Sequence, residues 1–254
     1  MVCLSAQVGR VVTVRRLYVS DLPEEGGAVT LADSSSRHVR VLRLRMGDPV
    51  VLFDGKGRVA TARIEALGDR VLCQAEEPMA VETKGPRIVL MLALPKGSKL
   101  DGCVRMATEL GVDEVALMQT ERSVSRWDSE RTRSRVDRLT RIASEAAAQC
   151  ERNDIPIVHS PRSCAAWLAA MPEDARGVLF GARAQGSLNI DATAEQVWCA
   201  VGPEGGFTEA EVAGFEGAGF TIASLGTLIL RVETAVPAAL SLVRDRLTKP
   251  RQAR

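Results

Sequence analysis

The sequence predicts an α/β protein with a parallel sheet in its larger C-terminal part and a small β-rich domain at its N-terminus. After about residue 84, short apolar runs alternate with segments of helical periodicity, as in βα units. Between residues 15 and 83, short β-prone pieces are separated by turn residues. Two late apolar runs end in glycine turns, at Gly202-Pro203 and at Gly226.

Length and composition fit a globular protein with one large domain or two smaller ones. The chain has 254 residues, of which 46% are hydrophobic and 26% are charged, and its net charge of +1 identifies no partner. The arginines are clustered, with four between Arg37 and Arg45 and seven between Arg122 and Arg141. Arginine binds phosphate through a planar fork, but such clusters are more often simply solvated surfaces.

Cysteine, histidine and apolar residues limit the kind of site and the location of the protein. The six cysteines show no C-x-x-C spacing and there are only two histidines, so we expect buried thiols and no metal site. No apolar run approaches the ~20 residues of a membrane span. The N-terminus lacks the apolar core of a signal peptide, and a cytoplasmic protein is therefore expected.

The N-terminal part is predicted to consist of an extension, residues 1–14, and a β domain, residues 15–83. Segment His38–Arg45 alternates arginine with apolar residues, and we expect its arginines on one side of a helix or strand that ends at residues 46–48. Several short strands at close spacing favour a small barrel or sandwich. The predicted strands are Ala28–Leu31, Pro49–Phe53, Ala60–Ile64 and Val71–Gln74.

The C-terminal part, residues 84–254, is predicted to alternate strands with helices, so its strands form a parallel sheet covered on both faces. Helices are expected over Leu100–Leu110 and Ser129–Cys150, at a capping box formed by Thr208 and Glu211, and from near Glu233. The predicted strands are Ile88–Leu94, Val115–Met118, Pro156–Val158, Val178–Phe180, Val197–Val201 and Thr221–Leu225.

The helix from Ser129 has two distinct sides. At about 100° per residue, Val136, Leu139 and Ala143 fall on the apolar side. The opposite stripe carries arginines together with a glutamate and a glutamine. Such a stripe is typical of a solvated surface, and it is also compatible with contact to an RNA or a partner subunit. Its members are Arg138, Arg141, Glu145, Gln149 and Arg152.

The two late glycine turns predict a ligand site. Each follows an apolar strand and precedes a helix, so free backbone N–H groups gather around one crevice at the carboxyl edge of the sheet. In open α/β sheets ligands bind in that crevice. Either turn alone is also compatible with an ordinary strand-to-helix connection.

An ordered series of motifs resembles the RsmE family of 16S rRNA uridine-N3 methyltransferases, members of the SPOUT (trefoil-knot) superfamily. The series spans almost the whole chain after residue 14. Its segments are 15–19 (RRLYV), 38–43 (HVRVLR), 96–99 (KGSK), 107–112 (ATELGV), 121–123 (ERS), Glu145 to Arg152, 202–207 (GPEGGF), and 225–235 from Leu-Gly to Glu-Thr-Ala.

The resemblance implies a PUA-like β-barrel followed by an α/β domain with a deep knot, and a homodimer that binds S-adenosylmethionine and acts on 16S rRNA of the 30S subunit. No metal is implied. The cofactor would lie in three loops, with Leu225, Ile229 and Leu230 as an apolar slot for the adenine and glycine-turn amides for its polar edges. The cofactor-binding residues implied are Leu179, Gly181, Gly202, Pro203, Glu204, Gly205, Gly206, Leu225, Gly226, Leu228, Ile229, Leu230, Thr234 and Ala235.

Roles in catalysis and RNA binding follow from the same resemblance and from the chemistry of uracil. Loss of the N3 proton leaves negative charge on the base, which a nearby cation stabilises. We assign that cation to Arg231, with Glu233 as its orienter or as the proton acceptor; an ion pair of the two in the core is the alternative. The predicted RNA-binding residues are Arg15, Arg16, His38, Arg40, Arg43, Arg45, Lys96, Lys99, Arg122 and Arg152.

Two departures from the family pattern leave other functions open. The chain has Thr227-Leu228 where the family has Pro-Arg, and Met106 where lysine is common, with Arg105 beside it. The alternatives are methylation of another RNA position, such as a ribose 2′-hydroxyl, and a non-catalytic RNA-binding assembly factor.

Overall fold

The structure is a computed structural model that describes residues 14–82, 85–181, 186–191 and 193–248. The predicted extension, apart from Val14, and the predicted boundary at Lys84 lie outside the described residues. The chain divides into two compact units between Val81 and Glu82.

Over residues 14–81, the part that the structure describes, the first unit contains six strands and one helix. Strand β1 pairs parallel with β3, and every other pairing is antiparallel. The strands follow the order β1-β3-β4-β5-β2, with β6 added on β4. The four predicted strands are confirmed, and β1 and β6 are additions. The elements are β1 Arg15–Tyr18, β2 Gly27–Thr30, α1 Asp33–Val41, β3 Pro49–Phe53, β4 Arg58–Leu67, β5 Val71–Ala75 and β6 Met79–Ala80.

The prediction of one continuous element over His38–Arg45 is wrong. Helix α1 ends at Val41, and the chain then reverses through Arg43, whose φ is +55°. The Leu44 amide donates to the Val39 carbonyl at 3.2 Å and the Arg43 amide to the Arg40 carbonyl at 3.0 Å, which is a Schellman motif. Leu44 packs against the core of this unit, so its burial supports the turn.

The second unit is a six-stranded parallel sheet with helices on both faces, as predicted. The strand order is β12-β10-β11-β7-β8-β9 and every pairing is parallel. The elements are β7 Arg87–Ala93, α2 Lys99–Glu109, β8 Glu114–Met118, α3 Ser129–Gln149, β9 Ile157–Arg162, α4 Cys164–Leu168, β10 Arg176–Phe180, β11 Gln196–Val201, α5 Glu209–Gly217, β12 Phe220–Ala223 and α6 Val232–Thr248.

Two apolar cores lie on opposite faces of this sheet, because successive side chains of a strand point to opposite sides. In β7, Ile88, Leu90 and Leu92 belong to the core shared with α2, α3 and α6. Val89 and Met91 belong to the other core, which includes residues of α4 and α5. All five are fully buried, which explains the continuous apolar run in the sequence.

Two arginines form hydrogen bonds at the C-terminal end of α2, and the position of one of them differs from its predicted role. Arg152 was expected to bind RNA, but its side chain is only 11% exposed and pairs with Asp154. Its Nη1 donates to the carbonyls of Thr108 at 2.9 Å and Val112 at 2.8 Å. Arg152 therefore ties the end of α2 to the turn that follows it, and its guanidinium is committed within this unit.

Replacing Arg244 with alanine is expected to lower the free energy of unfolding by about 2 kcal/mol. Arg244 of α6 donates from Nε to the Leu110 carbonyl at 3.1 Å and from Nη2 to the Gly111 carbonyl, so it ties the last helix to α2. Urea unfolding followed by tryptophan fluorescence reports this loss, because all three tryptophans lie in the second unit. Exposed Arg246 on the same helix is the control; equal losses for both variants would contradict the assignment.

The described cysteines are free, and four are buried. Burial raises the pKa of Cys73 to about 11 and that of Cys103, Cys164 and Cys199 to about 12. These thiols are therefore protonated at neutral pH, and we expect a thiol reagent to modify them only when the protein unfolds. Labelling before and after addition of denaturant, followed by peptide mapping, checks this; fast native modification of any of the four would contradict it.

Candidate functional site

A pocket of about 590 Å³ opens at the carboxyl edge of the parallel sheet. Three neighbouring strands, β10, β11 and β12, end at this edge and continue into the loops that form its walls. The pocket includes every predicted cofactor residue except Thr234, together with further residues that were not among the predicted ones. These additions are Arg122, Phe180, Val201, Phe207, Val212, Ile222 and Val232.

The loop after β11, residues 202–208, forms one wall and is held by contacts at both ends. The Gly206 amide donates to the Pro203 carbonyl at 2.8 Å, and Gly206 has a φ of +69°. The Phe207 ring packs edge-on against Phe215 at 5.1 Å. Thr208 then caps α5 through the predicted capping box with Glu211. The backbone of this wall is thus fixed without a ligand.

Arg122 lines the pocket and also holds the same loop through hydrogen bonds. Its Nη1 donates to the carbonyls of Gly205 at 3.0 Å and Phe207 at 3.2 Å. Arg122 was predicted to bind RNA, whereas in the structure its guanidinium is hydrogen-bonded to the pocket wall.

The loop after β12 forms an apolar wall. Ser224 fixes its start, because Ser224 Oγ donates to the Gly226 carbonyl at 2.9 Å and accepts from the Gly226 amide at 3.1 Å. Leu225 and Leu230 are half-buried, whereas Leu228 and Ile229 are 75% and 71% exposed. Exposed leucine and isoleucine at a pocket mouth are suited to the flat apolar face of a ligand.

Lys99 connects two acidic residues near the pocket. Its Nζ lies 2.9 Å from Glu204 Oε1 and 3.4 Å from Glu233 Oε2, and the Lys96 amide lies 3.4 Å from Glu204 Oε2. Partial burial is the largest single effect and acts to raise the pKa of Glu204, but the hydrogen bond and charge of Lys99 together with backbone hydrogen bonds outweigh it, and the net pKa is lowered. The same bond raises the pKa of Lys99. This geometry makes Lys99 a structural partner of the two glutamates, not the free RNA-binding cation that was predicted.

Arg231 lies directly before α6 and directly after pocket residue Leu230. Its carbonyl accepts from the amides of Thr234 at 2.9 Å and Ala235 at 2.8 Å, so its backbone is fixed. Its side chain is exposed and has no partner among the described residues. The alternative of an Arg231–Glu233 ion pair is wrong, because Arg231 forms no ion pair with any described residue and Glu233 pairs with Lys99. For the same reason Glu233 does not orient Arg231.

The remaining predicted RNA-binding residues lie in both units. In the first unit, Arg16 lies over the Phe53 ring at 5.2 Å, and Arg40 donates to the carbonyls of Gly68 and Asp69. In the second unit, Lys96 is exposed on the loop after β7. The others in the first unit have exposed side chains: Arg15, His38, Arg43 and Arg45.

The pocket fits the cofactor that the resemblance implies. Its volume is within the usual range of about 300–1,000 Å³ for small-molecule sites. Leu225, Ile229 and Leu230 all line it and are suited to a flat base, and the glycine loops, which also line it, carry backbone groups suited to its polar edges. Over the described residues, no group of three or more His, Cys, Asp or Glu is arranged to hold a metal ion. None of the helices described is both long and apolar enough to cross a membrane.

Comparisons with known proteins match both units. A model of an RNA methyltransferase domain matches residues 82–244, and a model of an RNA methyltransferase PUA domain matches residues 31–75. The ribosomal RNA small subunit methyltransferase E of Mycobacterium bovis is 31% identical over 234 residues, which cover 89% of each protein.

Solved structures give the same similarity. A ribosomal RNA small subunit methyltransferase E from Neisseria gonorrhoeae, bound to S-adenosyl methionine, is 30% identical with a TM-score of 0.84; the match covers 91% of this chain and 97% of that one. A Legionella pneumophila protein in complex with the bound cofactor SAM is 28% identical with a TM-score of 0.85, over 92% and 98% of the two chains.

Proposed function

The chain belongs to the ribosomal RNA small subunit methyltransferase E (RsmE) family, and we propose that it transfers the methyl group of S-adenosylmethionine to N3 of a uridine in 16S rRNA. The observation that carries the proposal is the pocket at the carboxyl ends of β10, β11 and β12, whose walls include 13 of the 14 predicted cofactor residues. The predicted fold class, a parallel α/β domain with a PUA-like domain, is confirmed. The trefoil knot stays a prediction.

In this reaction the residues of the chain would bind and orient the cofactor and stabilise the charge on the target base. S-adenosylmethionine supplies a methyl group already activated by its sulfonium. Leu225, Ile229 and Leu230 would hold the adenine, and the loop to which Arg122 is hydrogen-bonded would supply fixed backbone groups. Such preorganised groups need no rearrangement during the reaction.

Arg231 is suited to stabilise the charge on the target base. Removing the N3 proton leaves negative charge that is shared with the two carbonyl oxygens of uracil. The Arg231 guanidinium has no competing acidic partner among the residues that the structure describes, so its charge is available to the base. Glu233 is held by Lys99 and remains our proposal for the proton acceptor.

Methylation of isolated subunits tests the function. Recombinant protein is incubated with labelled S-adenosylmethionine and 30S subunits that lack the modification, and the labelled nucleoside is identified and mapped. We expect label at one uridine N3. Label on a ribose 2′-hydroxyl would support methylation of the ribose instead of the base. If calorimetry shows binding of RNA but no binding of the cofactor, the result would support a non-catalytic assembly factor.

The homodimer implied by the resemblance is also a proposal. Leu228 and Ile229 support it, because two large apolar side chains this exposed at one loop are suited to cover by a second copy. Sedimentation of the full chain as a monomer at micromolar concentration would contradict it.

A further inference from the structure

A second pocket, of about 390 Å³, lies in the same unit and has no role in the proposed reaction. Its walls come from the loop after β7, the start of α2, the segment before α3, and α3 itself. The residues that give it chemical character are Asp101, Ser125, Trp127, Arg135 and Arg138.

Trp127 and Arg135 form a stacked pair in this pocket. The Arg135 guanidinium carbon lies 5.0 Å from the centroid of the indole ring. Trp127 is half-buried, packed against the core on one side, and Arg135 is exposed on α3. The pair offers an aromatic surface and a planar cation at one place.

The pocket is positively charged. Arg138 forms an ion pair with Asp101, and its side chain is still 61% exposed. Arg135 pairs with no acid among the described residues, so two guanidinium groups face a single carboxylate. Ser125 Oγ donates to the Pro95 carbonyl at 2.9 Å and holds the segment before α3 against the loop after β7.

A nucleotide has both a phosphate and a flat base, the two kinds of group that the arginines and the tryptophan of this pocket are suited to bind. Arginine forks bind phosphate, and aromatic rings and guanidinium planes stack on unpaired RNA bases. A small free anion would not stack on the indole ring. A neutral apolar ligand would not pair with the two arginines. Stacking and charge together therefore favour a single-stranded nucleotide.

One short loop separates this pocket from the methyl-donor pocket. Gly97 and Ser98 line the second pocket, while the adjacent Lys96 amide and Lys99 side chain contact Glu204 of the first. We propose that the second pocket, which contains Trp127, binds a nucleotide of the RNA substrate that neighbours the methylated uridine. This inference rests on the proposed function.

Tryptophan fluorescence of the full-length protein tests this proposal directly. Trp167 and Trp198 are only 4% and 5% exposed, which leaves Trp127 as the accessible fluorophore. We expect a short single-stranded oligouridylate to quench the emission, and Trp127→Phe to abolish the quenching. Arg135→Ala and Arg138→Ala should each raise the half-maximal RNA concentration about tenfold, the usual size of one charge-assisted contact.

Arg133→Ala is the matched control. Arg133 lies two residues before Arg135 and therefore about 160° away around the helix, outside the pocket. Its effect should stay within about twofold. An equal effect of Arg133→Ala, or quenching that persists in Trp127→Phe, would overturn the proposal.

The fluorescence measurement needs no turnover, so its outcome is separable from the proposed function. If the variants change the quenching as expected but the protein methylates no uridine, the nucleotide site is supported and the proposed methylation is rejected. In an active protein, Arg135→Ala should raise KM for 30S subunits about tenfold and leave cofactor affinity unchanged. Unchanged KM would reject the nucleotide site and leave the reaction intact.

Discussion

Replacing Arg231 with alanine is expected to lower kcat by about 100- to 1,000-fold, the usual cost of removing one group that stabilises developing negative charge. The affinity for S-adenosylmethionine should be unchanged, because Arg231 does not line the pocket. Thermal stability should also be unchanged, because the guanidinium has no partner in the described part of the chain. Single-turnover methylation of 30S subunits, calorimetry and thermal unfolding measure the three quantities.

Two further variants sharpen this test. Arg231→Lys retains a positive charge without the planar fork and should recover part of the rate. Arg246→Ala removes an exposed arginine from the opposite, C-terminal end of α6 and should leave kcat unaltered. A wild-type rate for Arg231→Ala would remove the catalytic assignment, while a fall in cofactor affinity would make Arg231 a binding residue.

Replacing Gly202 with valine is expected to weaken S-adenosylmethionine binding about 10- to 100-fold, the equivalent of a moderate overpacking penalty. A Cβ at Gly202 would lie 2.8 Å from Cε2 of the Phe207 ring. That ring cannot move away freely, because it packs against Phe215, and both Gly202 and Phe207 line the pocket. The added side chain therefore disturbs the wall of the pocket.

Gly217→Val is the control for this change. Gly217 is exposed at the end of α5, and a Cβ there meets nothing within 4 Å. Calorimetric titration of both variants should show loss of affinity for Gly202→Val alone. Normal cofactor binding by Gly202→Val would place the donor away from the loop after β11.

Local patterns in the sequence were sufficient to predict the fold class and the position of the pocket. The continuous apolar run of β7 indicates a strand buried on both faces, and Thr208 with Glu211 indicates the start of α5. Glycine turns after β11 and β12 place two pocket loops at one sheet edge, since the ends of parallel strands meet there. Each signal involves residues only a few positions apart, so periodicity and turn chemistry reveal it.

The uses of the charged side chains were decided by the tertiary structure. Lys99 binds Glu204, which is 105 residues away, and Arg122 binds the Gly205 carbonyl, 83 residues away. Arg152 was predicted to contact RNA and instead donates to the carbonyls of Thr108 and Val112 at the end of α2. An arginine or lysine has the same local signature whether it faces solvent, RNA or a helix end, because its partner is chosen by chain folding over long separations. The sequence alone thus determined the sheet, its helices and the edge where a ligand binds, whereas the packed chain decided which cations are left for RNA.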